Sequence, residues 1–247
     1  MAFAYLTDIS SIKKLCIKAD NSTELLFPSC VKVGRAQSMQ TTDESARQNE
    51  ELWDARARTY DTRFRFTRWT QKKLVSLLEL GENPYLLDLA CGTGWAVRYA
   101  AFLANGRGQF YGVDNSSQMI ERAKGRSTSF PNVHFCKSKV EQLPFDNDFF
   151  DFIICSNAFH HFSNPEMAVR EAFRVLKPKA RIYILDTTAD NFFMRLIDKL
   201  SKRLEPAHVK LYSTKEYQGF FEKAGFHYVN SEPVLSAIKI HVAVKTV

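Results

Sequence analysis

The 247-residue chain has five cysteines, Cys16, Cys30, Cys91, Cys136 and Cys155, an odd number with no CxxC pair among them. That excludes a disulfide framework and zinc-ligand spacing, so no metal is expected and a reducing, cytoplasmic compartment fits best. Glycine (10) and proline (8) are scarce, which excludes a collagen-like or low-complexity chain. No apolar run approaches the ~20 residues of a membrane span. The N-terminus lacks the continuous apolar stretch of a secretory signal. Residues 1–40 are Ser- and Lys-bearing, faintly like an organellar transit peptide, a reading that Asp8, Asp20 and Glu24 weaken. Charge of one sign is not concentrated either: the formal +7 divides into +2, +2 and +3 over residues 1–82, 83–186 and 187–247. A dominant polyanion-binding domain is therefore not indicated.

What is present is ordinary in bulk, with 45% hydrophobic and 25% charged residues. That excludes wholesale disorder and suits one α/β domain or two small ones. Twenty phenylalanines favour a well-filled interior. One local basic strip exists, Arg56, Arg58, Arg63, Arg65 and Arg68 followed by Lys72 and Lys73, interleaved with Tyr60, Phe64, Phe66 and Trp69. It reads first as a solvated helix face and second as a means of capturing an anionic partner.

Along the chain, Leu6–Ala19 has helical spacing and Leu25–Val33 reads as a strand or an extended arm. Asp43–Glu79 reads as helix, stopped by Gly81 and Pro84. From Tyr85 the pattern alternates. Strands are predicted at 85–89, 109–113, 133–136, 149–155 and 181–185, with helices at 95–103, 117–124, 165–176 and 192–204. A further helix, 213–224, opens with the capping box Ser213-Thr214-Lys215-Glu216 and closes at Gly225. Strands at 226–230 and 238–244 follow, joined so closely that they pair antiparallel at an edge. Alternation of this kind predicts a mostly parallel, Rossmann-like doubly wound sheet with its ligand beyond the carboxyl ends of the strands. The expected organisation is an N-terminal extension over 1–40 and a domain over 41–247 that begins with a helical cap, 41–82.

The first strand runs into a glycine turn, Leu86-Leu87-Asp88-Leu89-Ala90-Cys91-Gly92-Thr93-Gly94-Trp95. Glycines there let the backbone approach a ligand at a helix N-terminus. Asp114, 20 residues after Gly94, ends the next strand, where an acid suits a ribose diol. The third glycine of a dinucleotide fingerprint is replaced by Val97. Asp88 sets a carboxylate in the turn itself, which repels a pyrophosphate and suits a nucleoside with a cationic tail, as in S-adenosylmethionine.

With these segments, residues 50–247 resemble the class I S-adenosylmethionine-dependent methyltransferases, most of all the small-molecule group that includes the ubiquinone/menaquinone-biosynthesis enzymes. The resemblance rests on Leu87–Gly94, Val113-Asp114-Asn115-Ser116 with Met119, Val140–Phe145, Phe149–Phe152, Asn157–Phe162, Arg174–Pro178 and Ala224-Gly225-Phe226. It implies seven strands in the order 3-2-1-4-5-7-6 with strand 7 antiparallel. It also implies that Asp88, Gly92 and Gly94, with Ala90 in the same turn, line the methionine tail, and that Asp114 binds the ribose. Asn115 and Met119 would meet the adenosine. Lys139 and Val140 would meet the adenine edge, with the Val140 N–H as donor, although Lys139 stands where similar proteins carry an accepting acid. Cys155 and Ser156 would face cofactor and acceptor, and Tyr60 would close over the cofactor. A second departure, Lys177-Pro178-Lys179-Ala180 in place of a glycine pair, is assigned to a turn away from the site.

Methyl transfer needs alignment above all; a base is needed only where the acceptor must lose a proton. His161, and less so His160, are the candidates. The strand-4 segment Ser156-Asn157-Ala158-Phe159 lacks the Asn/Asp-Pro-Pro-aromatic motif of enzymes that act on exocyclic amines, and there is no Pro-Cys nucleophile. Trp53, Tyr60, Trp69, Phe192, Phe193 and Tyr212 are expected to line an apolar pocket. The expected activity is methylation of a small, partly apolar acceptor by a monomer or homodimer without a nucleic-acid partner. Methylation of RNA or protein through the Arg56–Arg68 strip, and cofactor binding without turnover, are the alternatives.

Overall fold

The computed structural model describes residues 43–63, 66–204 and 209–246. The expected elements at 6–19 and 25–33, and the boundary at residue 40, lie outside these residues. The chain order is α1 (Asp43–Arg56), α2 (Tyr60–Arg63), α3 (Thr67–Ser76), β1 (Tyr85–Leu89), α4 (Trp95–Leu103), β2 (Gln109–Asp114), α5 (Ser117–Gly125), β3 (Val133–Lys137) and β4 (Phe150–Ser156). A single 3-10 turn (Phe159–His161) follows, then α6 (Pro165–Val175), β5 (Leu176–Thr187), α7 (Phe192–Leu204), α8 (Thr214–Ala224), β6 (Phe226–Pro233) and β7 (Ile238–Lys245).

The strands form one sheet in the order β3-β2-β1-β4-β5-β7-β6, as expected. The first five run parallel, and β7 is antiparallel to both β5 and β6. Side chains alternate across each strand, so adjacent leucines serve opposite faces. Leu87 packs with Ile153, Val169 and Phe221, whereas Leu86 packs with Val75, Val97, Phe110 and Ile154. Burial on both faces is why β1, Tyr-Leu-Leu-Asp-Leu, reads as an apolar run. The chain leaves β1 towards β2 on one side and returns as β4 on the other. That reversal opens a crevice at the carboxyl ends of β1, β2 and β4.

Helix ends follow their local chemistry. Ser213 accepts from the Glu216 N–H, Glu216 reaches back to the Ser213 N–H, and Gly225 ends α8 in the left-handed conformation. Two expectations are corrected. The helix expected over Asp43–Glu79 is broken into three, because Ala57 is buried and tight bonds from Ala57 N–H to Asp54 O and from Thr59 N–H to Arg56 O turn the chain. The turn expected at Lys177–Ala180 is absorbed into β5. The ladder jumps from Phe150–Leu176 to Phe152–Arg181, and Lys179 takes a left-handed φ of 66°. Pro178, which has no N–H, is tolerated in such an irregularity. Among the described residues no helix is long and apolar enough to cross a membrane.

Gly94 caps α4 at φ 72°, and a Cβ there would sit 2.4 Å from Phe135 Cζ. Gly94→Ala therefore combines a left-handed alanine with an overpacked strand contact. A loss of about 2–4 kcal/mol of stability is expected, to be measured as a lower urea midpoint at unchanged m-value.

Candidate active site

The crevice is an open cavity of about 810 Å³ including its mouth. Its floor is Ala90 and Gly92. One wall is Asp114, Asn115, Ser116 and Met119, and another is Ser138, Lys139, Val140 and Glu141. The 157–163 segment, His161 included, closes the far side, while Asn49, Glu50, Trp53 and Tyr60 roof it. Of the residues singled out from sequence, Tyr60, Ala90, Gly92, Asp114, Asn115, Met119, Lys139, Val140 and His161 lie on this wall. Asp88, Gly94, Cys155, Ser156 and His160 do not. Gly94 packs on Phe135, and Cys155 is wholly buried. Ser156 is also buried and accepts from Gln71 Nε2 at 3.0 Å.

Asp114 is held in place from two sides. It accepts from the Gly92 N–H at 2.8 Å and the Ser116 N–H at 2.9 Å, which ties the end of β2 to the glycine turn. Burial pushes its carboxyl up, those amide bonds pull it back, Asp54 adds repulsion, and the result is about 6. Asp88, one strand over, is 1% exposed, and neither carboxylate oxygen has a hydrogen-bond partner among the described residues. Burial first, and Asp114 second, drive it well above the ordinary carboxylate range. A buried carboxylate with no donor is costly and rarely kept without a purpose. Burial also pushes the Tyr60 phenol up, with Asp114 and Asp88 adding to it. Gly92, at φ 54°, leaves its missing side chain's place 3.6 Å from the Tyr60 ring.

α1 straps the crevice from edge to edge. Glu50 pairs with Lys137 at the end of β3. Asp54 accepts from Ser116 Oγ and from the Gln118 N–H, where an acid complements the N-terminus of α5. At the other end Asn49 Nδ2 donates to the His161 carbonyl at 3.2 Å, and Trp53 meets the His161 ring edge-on at 5.1 Å. Sequence reading singled out Trp53 alone of these, because the partners come from segments tens of residues away and leave no local spacing.

The 138–145 wall is fixed from behind by Arg174, which donates to the carbonyls of Leu143 and Phe145 and forks onto Glu171. His160 Nδ1 lies 2.7 Å from Asp186 Oδ1, and the His160 N–H donates to Asp186 Oδ2 at 3.0 Å. Burial alone would raise Asp186, yet the His160 imidazole and the amides of His160 and Thr187 hold it below the ordinary range. His160 is thus an anchored neighbour of His161, whose ring centroid is 3.9 Å away.

Of the six aromatics expected from sequence to line the pocket, two do so. Trp53 and Tyr60 line the crevice. Tyr212 is buried against Phe159 and Phe220, while Trp69, Phe192 and Phe193 face solvent. The loops of a doubly wound sheet carry aromatics both inward and outward, and a local pattern does not tell them apart. Of the basic strip, Arg65 and the side chain of Arg63 lie outside the described residues. Arg56 covers the Trp53 ring at 5.4 Å, Arg68 lies 3.8 Å from Asp61, and Lys72 covers Tyr99.

A seven-stranded sheet in this order, with an acid-lined crevice at its switch point, has the fold of the class I methyltransferases. Residues 87–184 match the family model of a methyltransferase domain. An uncharacterized methyltransferase, YcgJ of Bacillus subtilis, is 34% identical over 153 residues, or 60% of this chain and 59% of that one. The chain thus matches about three fifths of that relative's length. A demethylmenaquinone methyltransferase of Staphylococcus epidermidis is 24% identical over 166 residues, 66% of this chain and 68% of the relative. The crystal structure of the Bacillus protein YcgJ superposes with a TM-score of 0.64 at 22% identity, covering 73% of this chain and 99% of that one. Residues 87–184 thus resemble a methyltransferase domain in sequence, and the chain resembles the S-adenosylmethionine-dependent methyltransferases in fold.

Proposed function

We propose that the protein transfers a methyl group from S-adenosylmethionine to a small, partly apolar acceptor by in-line displacement. The observation that carries the reading is the pair Asp88 and Asp114. One is a buried carboxylate with both oxygens unpartnered, and the other is a carboxylate on the crevice wall, preorganised by two backbone amides. A ligand with an ammonium at one end and a ribose diol in its middle satisfies both, since each ionised oxygen accepts more than one donor. Met119 and the Val140 N–H are suited to an adenine face and edge. Lys139 offers no acceptor there, so Glu141 on the same wall is the acid within the segment.

S-adenosylmethionine supplies, when bound, a methyl carbon on a positively charged sulfur. The chain contributes alignment, worth up to ~7–11 kcal/mol for a well-held pair. Trp53 of α1 and Tyr60 of α2 exclude water from above. His161 is the one histidine on the wall among the described residues. It is braced by Trp53 and by His160, itself anchored on Asp186. It takes the proton from an acceptor that must lose one. The Trp53 and Tyr60 rings of the roof, and a relative named demethylmenaquinone methyltransferase, support a small aromatic or quinone-type acceptor. Arg56, Arg68 and Lys72 meet partners within the chain, which leaves the macromolecular alternative without a specific observation in its favour.

A screen of small aromatic and quinone-type acceptors with a labelled methyl donor tests the reading. Label on at least one acceptor is expected, and binding of the donor with no transfer to any acceptor would leave only a binding protein. With a hydroxyl or carbon-acid acceptor, His161→Ala is expected to lower kcat about 100-fold while leaving donor affinity unchanged. An unaltered kcat and pH profile would remove His161 from the chemistry.

A further inference from the structure

The outer face of α7 has no part in the crevice. A helix turns about 100° per residue, so Phe192, Phe193, Leu196 and Leu200 fall on one arc roughly 100° wide. They are 82%, 66%, 45% and 50% exposed. The adjoining arc, with Met194 and Ile197, turns inward and is partly buried. The helix is therefore apolar over about twice the width its own domain covers. Next to the exposed apolar arc stand Arg195 and Lys199, both exposed. The segment 192–204 carries four basic residues and one acid. That acid, Asp198, is turned away from the arc, accepting from the Leu211 N–H at 2.6 Å. The outward face is thus aromatic and aliphatic along its centre, cationic along one flank and free of carboxylates among the described residues.

We propose that this face docks α7 flat onto an anionic phospholipid bilayer. At 13 residues the helix is about 20 Å long, too short to span and long enough to lie in the headgroup region. Exposed phenylalanines and leucines enter the acyl boundary while the basic flank meets the headgroups, the pattern of interfacial amphipathic helices. Charge complementarity selects this occupant over a second copy of the chain, whose own α7 would bring cation against cation. Beyond α7, the Val209 and Lys210 N–H groups donate to the carbonyl of His160, next to His161 of the crevice. The proposal stands whether or not the crevice binds the methyl donor.

Flotation of the full chain with phosphatidylcholine vesicles, with and without phosphatidylglycerol, tests it. Binding to the mixed vesicles is expected. It should be about tenfold weaker on neutral vesicles, in Phe192→Ser/Phe193→Ser and in Arg195→Gln/Lys199→Gln. All four positions are exposed, so circular dichroism and thermal unfolding should be unchanged. Absence of binding to the mixed vesicles overturns the proposal, as does binding that the phenylalanine double variant leaves intact. A dimer in light scattering that Phe192→Ser/Phe193→Ser dissolves would assign the face to a second copy and also overturn it.

Discussion

Asp88→Asn is expected to stabilise the unliganded protein at pH 7 by about 1–3 kcal/mol and to weaken S-adenosylmethionine binding about 100-fold. The two effects have one cause. The Asp88 carboxylate is buried with no hydrogen-bond donor, beside Asp114, and its pKa is driven well above the ordinary value. A carboxyl whose folded pKa is raised binds more protons in the native state than in the unfolded chain across the window between the two values. Its contribution to stability is therefore complete below the unfolded value of about 4 and is lost as pH rises through the folded one. The neutral, isosteric amide removes that loss. The stability difference between variant and wild type should shrink towards zero as the urea midpoint is followed from pH 7 down to about 4. Ligand binding should move the opposite way, because a charge-assisted bond to an ammonium is replaced by a neutral one. Equal affinity for the donor in both proteins would dissociate Asp88 from the ligand and leave its burial unexplained.

Asp114→Ala is expected to reduce affinity for S-adenosylhomocysteine about 1,000-fold by calorimetry. The substitution removes the acceptor for two ribose hydroxyls. It also removes the bonds from the Gly92 and Ser116 N–H groups that hold the floor and the α5 turn together. Asp114→Asn, which keeps the shape and one carbonyl, should fall between the two. In the wild type the same group sets a pH dependence. Its pKa is about 6, and the ligand requires the ionised, accepting form. Affinity should be level above pH 7 and should fall by up to about tenfold per unit as pH drops below 6, with protons released on binding in that window. Undiminished binding by Asp114→Ala would sink the site assignment. A flat affinity from pH 7 to 5 would show that the carboxylate is not the acceptor.

Much of the framework was legible in the residues. The β1 turn with its two glycines, the strand-ending Asp114 and the Ser213 capping box each carry a local signal, because their geometry is satisfied within a few residues. Nine of the fourteen residues singled out for the site line the crevice. The exceptions are set by packing between distant segments. Cys155 and Ser156 point to opposite faces of β4, both of them covered, the first in the core and the second against Gln71; Gly94 lies against Phe135, and Asp88 is buried within β1. His160, the lesser of the two candidate bases, is paired with Asp186, 26 residues away. The strap of Asn49, Glu50 and Asp54 across the crevice was invisible, since its partners lie 62 to 112 residues away.

The sequence by itself determined the order of the strands from β1 onward, the sheet they form and the places of Asp88 in β1 and Asp114 at the end of β2. Periodicity, caps and turns act over a few residues, and the pattern around the β1 turn belongs to a recognisable family. Tertiary structure alone decided which of two adjacent histidines meets the cavity and that Asp88 has no partner. It also decided that Phe192 and Phe193 face outward rather than into a pocket. Those outcomes depend on packing between distant segments, where burial and the supply of hydrogen-bond donors are set by the whole fold and not by any residue's neighbours in the chain.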